Sequence, residues 1–482
     1  MNRRQVLTGI GVGSTTLVAG AAQAELPVGL KSEKHDVVVI GAGTAGLVAA
    51  LQAKQAGADV IALEKTSEGS SGGDSRMSGG IFFVPGEDTT QSRQAFVEDN
   101  NRVTQGRGNT ALFRVIAAHA WSDIAWLKQQ GCVFLDYERA SLGNSGTMTL
   151  APAPWQGMPQ FLSTMQKQFA GLGGKTLYET KARQLILDNR AHVAGVRAVT
   201  LEGVVDFMAN AVVIAAGGYC ANKYMLEQLV HPDADAMLVR GARTATGDGH
   251  MMALEAGAGL QNMAGLATVS VVAVDPREPS GANPEKALRR CVAINGDGKR
   301  YVDEAKGLLI NGRAALAQPG QVVALVFDET IKQEHDTQIS LAVFKARNLP
   351  VIEADTIEDL AARIKVPPAE LKATIEAFNA AVHDGAANGA NPPKSALASP
   401  IRTPKYYAFY PLVPAITQTF GAIITDENAQ VLEPDGRVIP GLYAAGNCTG
   451  PLYYHDYWPG GMLISCLVMG RIAGNRAALV RT

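Results

Sequence analysis

Charge is scarce in this sequence. Of its 482 residues only 18% are Asp, Glu, Lys or Arg, against about a quarter in ordinary globular chains. The 43 Lys+Arg nearly balance 45 Asp+Glu, for a formal net charge of −2. No Lys/Arg-rich run occurs, so the electrostatic footprint of a nucleic-acid binder is missing. Cysteine is scarce as well. Cys132, Cys220, Cys291, Cys448 and Cys466 are odd in number, widely spaced and without a C-x-x-C. That pattern argues against metal clusters, thiol-redox pairs and an attached haem, and leaves the cysteines as small buried hydrophobes. Long apolar runs are also absent: after residue 30 none reaches the ~20 residues that a membrane helix needs. What the chain does have is glycine (51 residues) and a 47% hydrophobic fraction. At ~100–200 residues per domain, its length suits about two or three domains around a large core.

The first 24 residues read as an export signal rather than as fold. Arg3 and Arg4 precede a mildly apolar stretch, Thr8 to Gly20, and Ala22-Gln23-Ala24 supplies a small-x-small cleavage pattern. Paired arginines favour twin-arginine export, which carries proteins already folded, often with a cofactor inserted. The expected location is periplasmic or secreted.

The richest motif follows. Asp36-Val37-Val38-Val39-Ile40 is a short β-branched run that reads as a buried parallel strand. Gly41-Ala42-Gly43-Thr44-Ala45-Gly46 comes next, then an Ala/Leu-rich helical stretch, Leu47 to Ala56. A second apolar run, Val60 to Leu63, ends at Glu64, 23 residues after Gly41. The first glycine makes the tight turn, the second admits a pyrophosphate, and the third lets helix and strand pack closely. The helix N-terminus faces the phosphate charge, and Glu64 is placed to accept hydrogen bonds from ribose hydroxyls. Strand, glycines, helix, strand and acid in register are far more specific than the glycines alone.

The segment Ser70 to Gly80 is mostly Gly and Ser, which lets backbone run close along a long ligand and offer it N–H groups. A nicotinamide domain seldom needs this, so FAD is favoured over NAD. Three later pieces suit the same cofactor. They are the strand Ala211–Ala216 ending in Gly217-Gly218, the helix start Thr246-Gly247-Asp248-Gly249-His250, and the strand Gly441–Ala445 running into Gly446-Asn447. A last helix begins at Gly460-Gly461.

Taken together, residues 35 to 477 resemble the FAD-dependent flavoproteins of the fumarate reductase/succinate dehydrogenase type. That group includes 3-ketosteroid dehydrogenases and tricarballylate dehydrogenase. The run Ile294 to Glu304, reading INGDGKRYVDE, looks like the family's N-x-x-G-K-R-F/Y-x-x-E hairpin in a mobile cap. The resemblance implies that Gly41, Ala42, Gly43, Thr44, Ala45, Gly46, Glu64, Lys65, Ser71, Gly72, Gly73, Ser75, Gly79 and Gly80 line FAD. Ala182, Gly217, Asp248, Gly446, Asn447, Leu463 and Ile464 are expected to join them. Segment 71–80 has no His where some members attach flavin covalently, so noncovalent FAD is implied, with no metal.

Departures from the family pattern bear on the substrate. Where dicarboxylate-handling members hold their substrate with His, this chain has Gln418. Their Arg before the last Gly-Gly falls on Trp458, and their cap Arg falls on Leu308. A small dianion needs cationic clamps; those three groups are not in place, with neighbouring Arg313 or Arg290 as the alternative source of a cation. Tyr457 and Gly461, 11 and 15 residues after Gly446, fall instead on the Tyr and Gly with which 3-ketosteroid dehydrogenases hold a ketone oxygen. Tyr457, the Gly461 N–H and His455 are therefore the expected catalytic groups. A C–H beside a held carbonyl is acidified, a base takes its proton, and the neighbouring carbon gives hydride to flavin.

The expected fold is α/β. A Rossmann-like FAD-binding domain, residues 35–262 and 413–482, carries an inserted α+β cap, residues 263–412. The expected activity is α,β-dehydrogenation of a ketone such as a 3-ketosteroid or cyclic ketone. A polycarboxylate dehydrogenase or reductase and a non-catalytic electron-transfer subunit remain as alternatives. Partners are a small-molecule substrate and an electron donor or acceptor that the sequence does not name.

Overall fold

The computed structural model describes residues 31–140, 143–152, 157–454 and 456–480. The export signal expected over residues 1–24 and the candidate base His455 lie outside them.

The β-branched run forms the end of strand β1 (Lys31–Ile40), and its last four residues are buried. Helix α1 (Thr44–Gln55) starts directly after the glycine turn, and β2 (Val60–Leu63) returns beside β1. A single turn, α2 (Gly73–Arg76), stands inside the Gly/Ser segment. Next come β3 (Lys175–Leu177), β4 (Gly203–Ile214), α3 (Asp248–Glu255) and α4 (Leu308–Leu316). The chain closes with β5 (Val438–Ala444) and α5 (Gly461–Ala478). Across the first sheet the parallel order is β5–β4–β1–β2–β3. Val39 sits between Ala62 on one side and Val213 on the other. Burial on both faces explains why these strands read as continuous apolar runs rather than alternating ones.

Helices α1 and α5 touch almost backbone to backbone. A Cβ at Gly470 would come within 2.9 Å of the Ala45 carbonyl oxygen, and one at Gly474 would collide with that of Ala49. This contact fixes α5, and the loop before it, against the end of β1.

A second sheet is built around the 14-residue strand Tyr406–Thr419. Segments 266–275, 323–328, 351–354 and 238–239 all pair with that strand, and a separate core of Val292, Leu325, Phe327, Phe344, Phe378 and Phe409 backs it. The strand Tyr406–Thr419 spans the boundary expected between 412 and 413. Leu238–Val239, assigned by sequence to the first domain, pairs with Ala415–Ile416 in this second sheet.

The G-K-R motif proves to be scaffold. Asn295 Oδ1 accepts the N–H groups of Asp297 and Lys299 to shape the turn. Arg300 and Glu304 form a buried ion pair at 2.7 Å. Glu304 also accepts the Ala293 N–H at 2.9 Å, and the guanidinium lies 5.0 Å from the Phe378 ring centre. A buried pair is tolerable when its remaining donors and acceptors are satisfied in this way.

Candidate active site

The C-terminal ends of β5, β4, β1 and β2 open onto one shared cavity. Asn447 follows β5, Ala215 to Gly217 follow β4, Gly41 to Ala45 follow β1, and Glu64 and Lys65 follow β2. The cavity thus crosses the sheet from Asn447 at one end to Glu64 at the other. Residues 72–75, 180–182, 244–245 and Asp248 complete the wall.

Its middle suits an anion. The α1 N-terminus has no side-chain cap at Gly43, so first-turn amides and the helix dipole face the cavity. Thr44 donates its N–H to Ser75 Oγ at 3.0 Å, drawing α2 against this turn. Two buried polar atoms on the wall, Thr44 Oγ1 and Asn447 Oδ1, have no hydrogen-bond partner among the described residues. Unpaired buried polar atoms are uncommon, and both fit a ligand that supplies the missing bonds.

The Glu64 end is rigid. Glu64 accepts from the Ala42 N–H at 2.9 Å and from Thr66 N–H and Oγ1 at 2.9 and 2.8 Å. Asp248 is gripped by Lys65 at 2.7 Å and Lys181 at 3.2 Å. Burial alone would raise the Asp248 carboxyl, but the two lysines outweigh it and hold it below its ordinary value. A dinucleotide with its pyrophosphate at α1 and its adenosine toward β2 fits this arrangement, which leaves the β4/β5 end for the other half.

Near that end the loop into α5 is aromatic. The Tyr457 ring meets Phe420 and Tyr453 edge-on at 5.9 and 5.8 Å. Tyr453 is buried and bonded to Asn100 at 3.2 Å. Tyr454 accepts from Gln261 at 3.1 Å, and the Arg107 guanidinium lies 4.4 Å from its ring centre. Arg313 reaches over from α4 and donates to the carbonyls of Leu266 (2.6 Å) and Tyr454 (3.3 Å). Burial lowers its guanidinium from the ordinary value, with Asp456 opposing. Gln418, two residues before Phe420, is half-buried and makes no side-chain hydrogen bond to a described residue.

A model of the FAD binding domain family matches residues 36–461. The chain belongs to this family. Urocanate reductase of Eggerthella lenta is 30% identical over 473 residues, covering 94% of this chain and 76% of that protein. Vinyl phenol reductase of Lactiplantibacillus plantarum is 29% identical over 489 residues, covering 93% and 97%. The open conformation of a flavocytochrome c3 fumarate reductase superposes with a TM-score of 0.76 at 27% identity, covering 93% of this chain and 78% of that one. The 3-ketosteroid Δ1-dehydrogenase of Sterolibacterium denitrificans gives the same TM-score, 0.76, at 21% identity, covering 93% and 100%; at that identity it shows the shared fold alone. The cofactor is FAD, and the chain is an FAD-dependent oxidoreductase acting on carbon–carbon bonds.

Within this FAD binding domain the cavity gathers Gly41, Ala42, Gly43, Thr44, Ala45, Glu64, Lys65, Gly72, Gly73, Ser75, Ala182, Gly217, Asp248 and Asn447, all marked from sequence. Seven others do not line it. A Cβ at Gly46 would collide with the Gly41 carbonyl, so this glycine serves helix–strand packing. Ser71 is tied to Glu68 and Gln166. Gly79 and Gly80 lead into the strand Ile81–Val84, with the Gly80 carbonyl bonded to Leu150. Gly446 turns at φ +88° against Ala45, while Leu463 and Ile464 are buried in α5. Sequence reading missed Thr180, Lys181, Thr244, Met252, Asp74 and Cys466 on the wall. Only Asp74 had a usable signal, since it sits inside the Gly/Ser segment. All five cysteines are buried and unpaired, and burial pushes the Cys466 thiol up to about 12.

One of the expected catalytic donors has another partner. The Gly461 N–H is already engaged, donating to the Trp458 carbonyl at 2.9 Å in the turn that starts α5. Glycine is required there because a Cβ would collide with the Tyr453 hydroxyl. Trp458 is core: it stacks on Phe83 at 5.3 Å and donates to the Asp99 carbonyl at 3.0 Å. Leu308 opens α4 and packs on the second core.

Proposed function

We propose that the chain moves hydride between FAD and a carbon–carbon bond conjugated to an uncharged oxygen, as in an α,β-dehydrogenated ketone or a phenol. The observation that carries this reading is how the cations near the aromatic loop are employed. Arg313 donates to two backbone carbonyls and Arg107 lies on the Tyr454 ring. A carboxylate substrate needs a cationic fork held open for it. The name of the vinyl phenol reductase relative points to a neutral substrate, and the fold shared with a 3-ketosteroid dehydrogenase accommodates one.

In this reading Tyr457 O–H and the Gln418 amide donate to the substrate oxygen, the amide replacing the Gly461 N–H. His455, two residues before Tyr457 in sequence, exchanges the proton. Bound noncovalently along the cavity, FAD supplies two-electron hydride chemistry. Residues 263–412 act as the cap, with the strand Tyr406–Thr419 carrying it into the FAD domain. The competing reading, reduction of an unsaturated carboxylate, draws on the 30% identity to urocanate reductase; it requires Arg313 to leave its carbonyls for the substrate. Anaerobic mixing with saturated cyclic ketones should bleach the flavin, and succinate should not. Bleaching by succinate alone would refute the proposal.

We also propose twin-arginine export. Replacing both Arg3→Lys and Arg4→Lys is expected to leave flavin-loaded protein in the cytoplasm, assayed by fractionation. Undiminished export of the double variant would contradict this.

A further inference from the structure

At the β4/β5 end of the cavity one carboxyl stands out. Asp74, on α2, lines the wall beside Asn447 and Cys466, so its open side faces the space that a bound FAD fills. Three segments converge on it. The Ala242 N–H donates to Oδ1 at 2.7 Å, and the Asn447 amide to Oδ2 at 3.4 Å. A Cβ on Gly241 would lie 3.0 Å from Oδ1 and 2.9 Å from Cys220 Sγ, which places that thiol beside the carboxyl as well. Among the described residues no Lys, Arg or His forms an ion pair with it. Its facing groups are one backbone amide, one side-chain amide and the thiols of Cys220 and Cys466, both kept neutral by burial. Arg76, on the same short helix, is exposed.

The adenosine half is assigned to the Glu64 end, so the isoalloxazine half shares this end with Asp74. We infer that Asp74 is a redox-linked acid of the flavin site, taking up a proton when FAD is reduced and releasing it on reoxidation. Two electrons entering the ligand add negative charge close to a carboxylate that no cation balances, and in a low-dielectric site that repulsion is strong. An O–H bond then forms on Asp74 with a proton from solvent; it breaks, returning the proton, when the electrons leave for substrate. Burial supports this by pushing the carboxyl up to about 6, against the opposing bonds from Ala242 and Asn447. The group is therefore an anion at neutral pH that protonates readily. The inference needs only FAD in the cavity and stands apart from the substrate assignment.

The test is a dye-coupled redox titration of holoenzyme against pH, with wild type and Asp74→Asn compared. Above neutrality the variant should be easier to reduce, because the repelling charge is gone; near about pH 5 the two should coincide, with both side chains neutral. The wild type should take up as much as about one more proton per flavin reduced in the intervening range. Parallel curves with a constant offset, or curves that coincide throughout, would overturn the inference. If Asp74→Asn fails to retain flavin, Asn447→Ala decides: it removes a donor to the carboxylate and should move the wild-type inflection to higher pH, and an unmoved inflection overturns the inference.

Discussion

Gly43→Val is expected to give a folded, colourless protein. The backbone at Gly43 is in the extended region, φ −78° and ψ −173°, which any residue adopts, so no strain opposes the substitution. A Cβ there would lie 3.4 Å from the Gly72 carbonyl and 3.5 Å from Ser75 Oγ, ordinary contacts that the protein tolerates. What the valine methyls would fill is the cavity in front of α1. Overpacking costs about 1–3 kcal/mol or more, so FAD affinity should fall by on the order of a hundredfold. Absorbance after gel filtration and a circular dichroism spectrum separate the two effects. Gly41→Ala is a useful contrast: at φ +103°, with a Cβ 2.5 Å from the Ala215 carbonyl oxygen, it should damage the fold itself.

Tyr457→Phe is expected to keep FAD and fold while slowing flavin reduction by a ketone by ~10²–10³, the usual loss for one donor to a developing oxyanion. The ring makes its packing contacts with Phe420 and Tyr453 through its faces and edges, and phenylalanine preserves them. Gln418→Ala should slow the same step with FAD absorbance unchanged. Stopped-flow flavin reduction measures both; full activity in Tyr457→Phe would remove Tyr457 from the mechanism.

The nucleotide half of the site was legible because its signals are local. A strand, three glycines, a helix and an acid within 24 residues, Gly41 to Glu64, specify a turn, a helix dipole and a ribose acceptor with no long-range information. Gly46 was assigned to the cofactor, yet its packing role follows from the same motif; sequence marks a glycine without saying which neighbour forbids its Cβ. The catalytic half was less legible. Spacing from Gly446 aligned Gly461 with a known donor, but whether an N–H is spent inside a turn depends on φ and ψ, which spacing does not carry. Trp458 shows the same limit: its stacking partner Phe83 lies 375 residues earlier. The strand Tyr406–Thr419 crosses the boundary placed between 412 and 413, and it carries Pro411 and Pro414 within it; its pairing partners lie far away in sequence, which local composition does not show.

The central claim is that the site serves a neutral conjugated substrate. Its most direct measurement is anaerobic reoxidation of the photoreduced enzyme by an α,β-unsaturated cyclic ketone and, separately, by fumarate. The ketone is predicted to reoxidise the flavin faster by at least about a hundredfold, since Arg313 and Arg107, already engaged by two carbonyls and a ring, would have to leave those partners to pair a dianion. Fumarate reoxidising the flavin faster than the ketone would contradict the account.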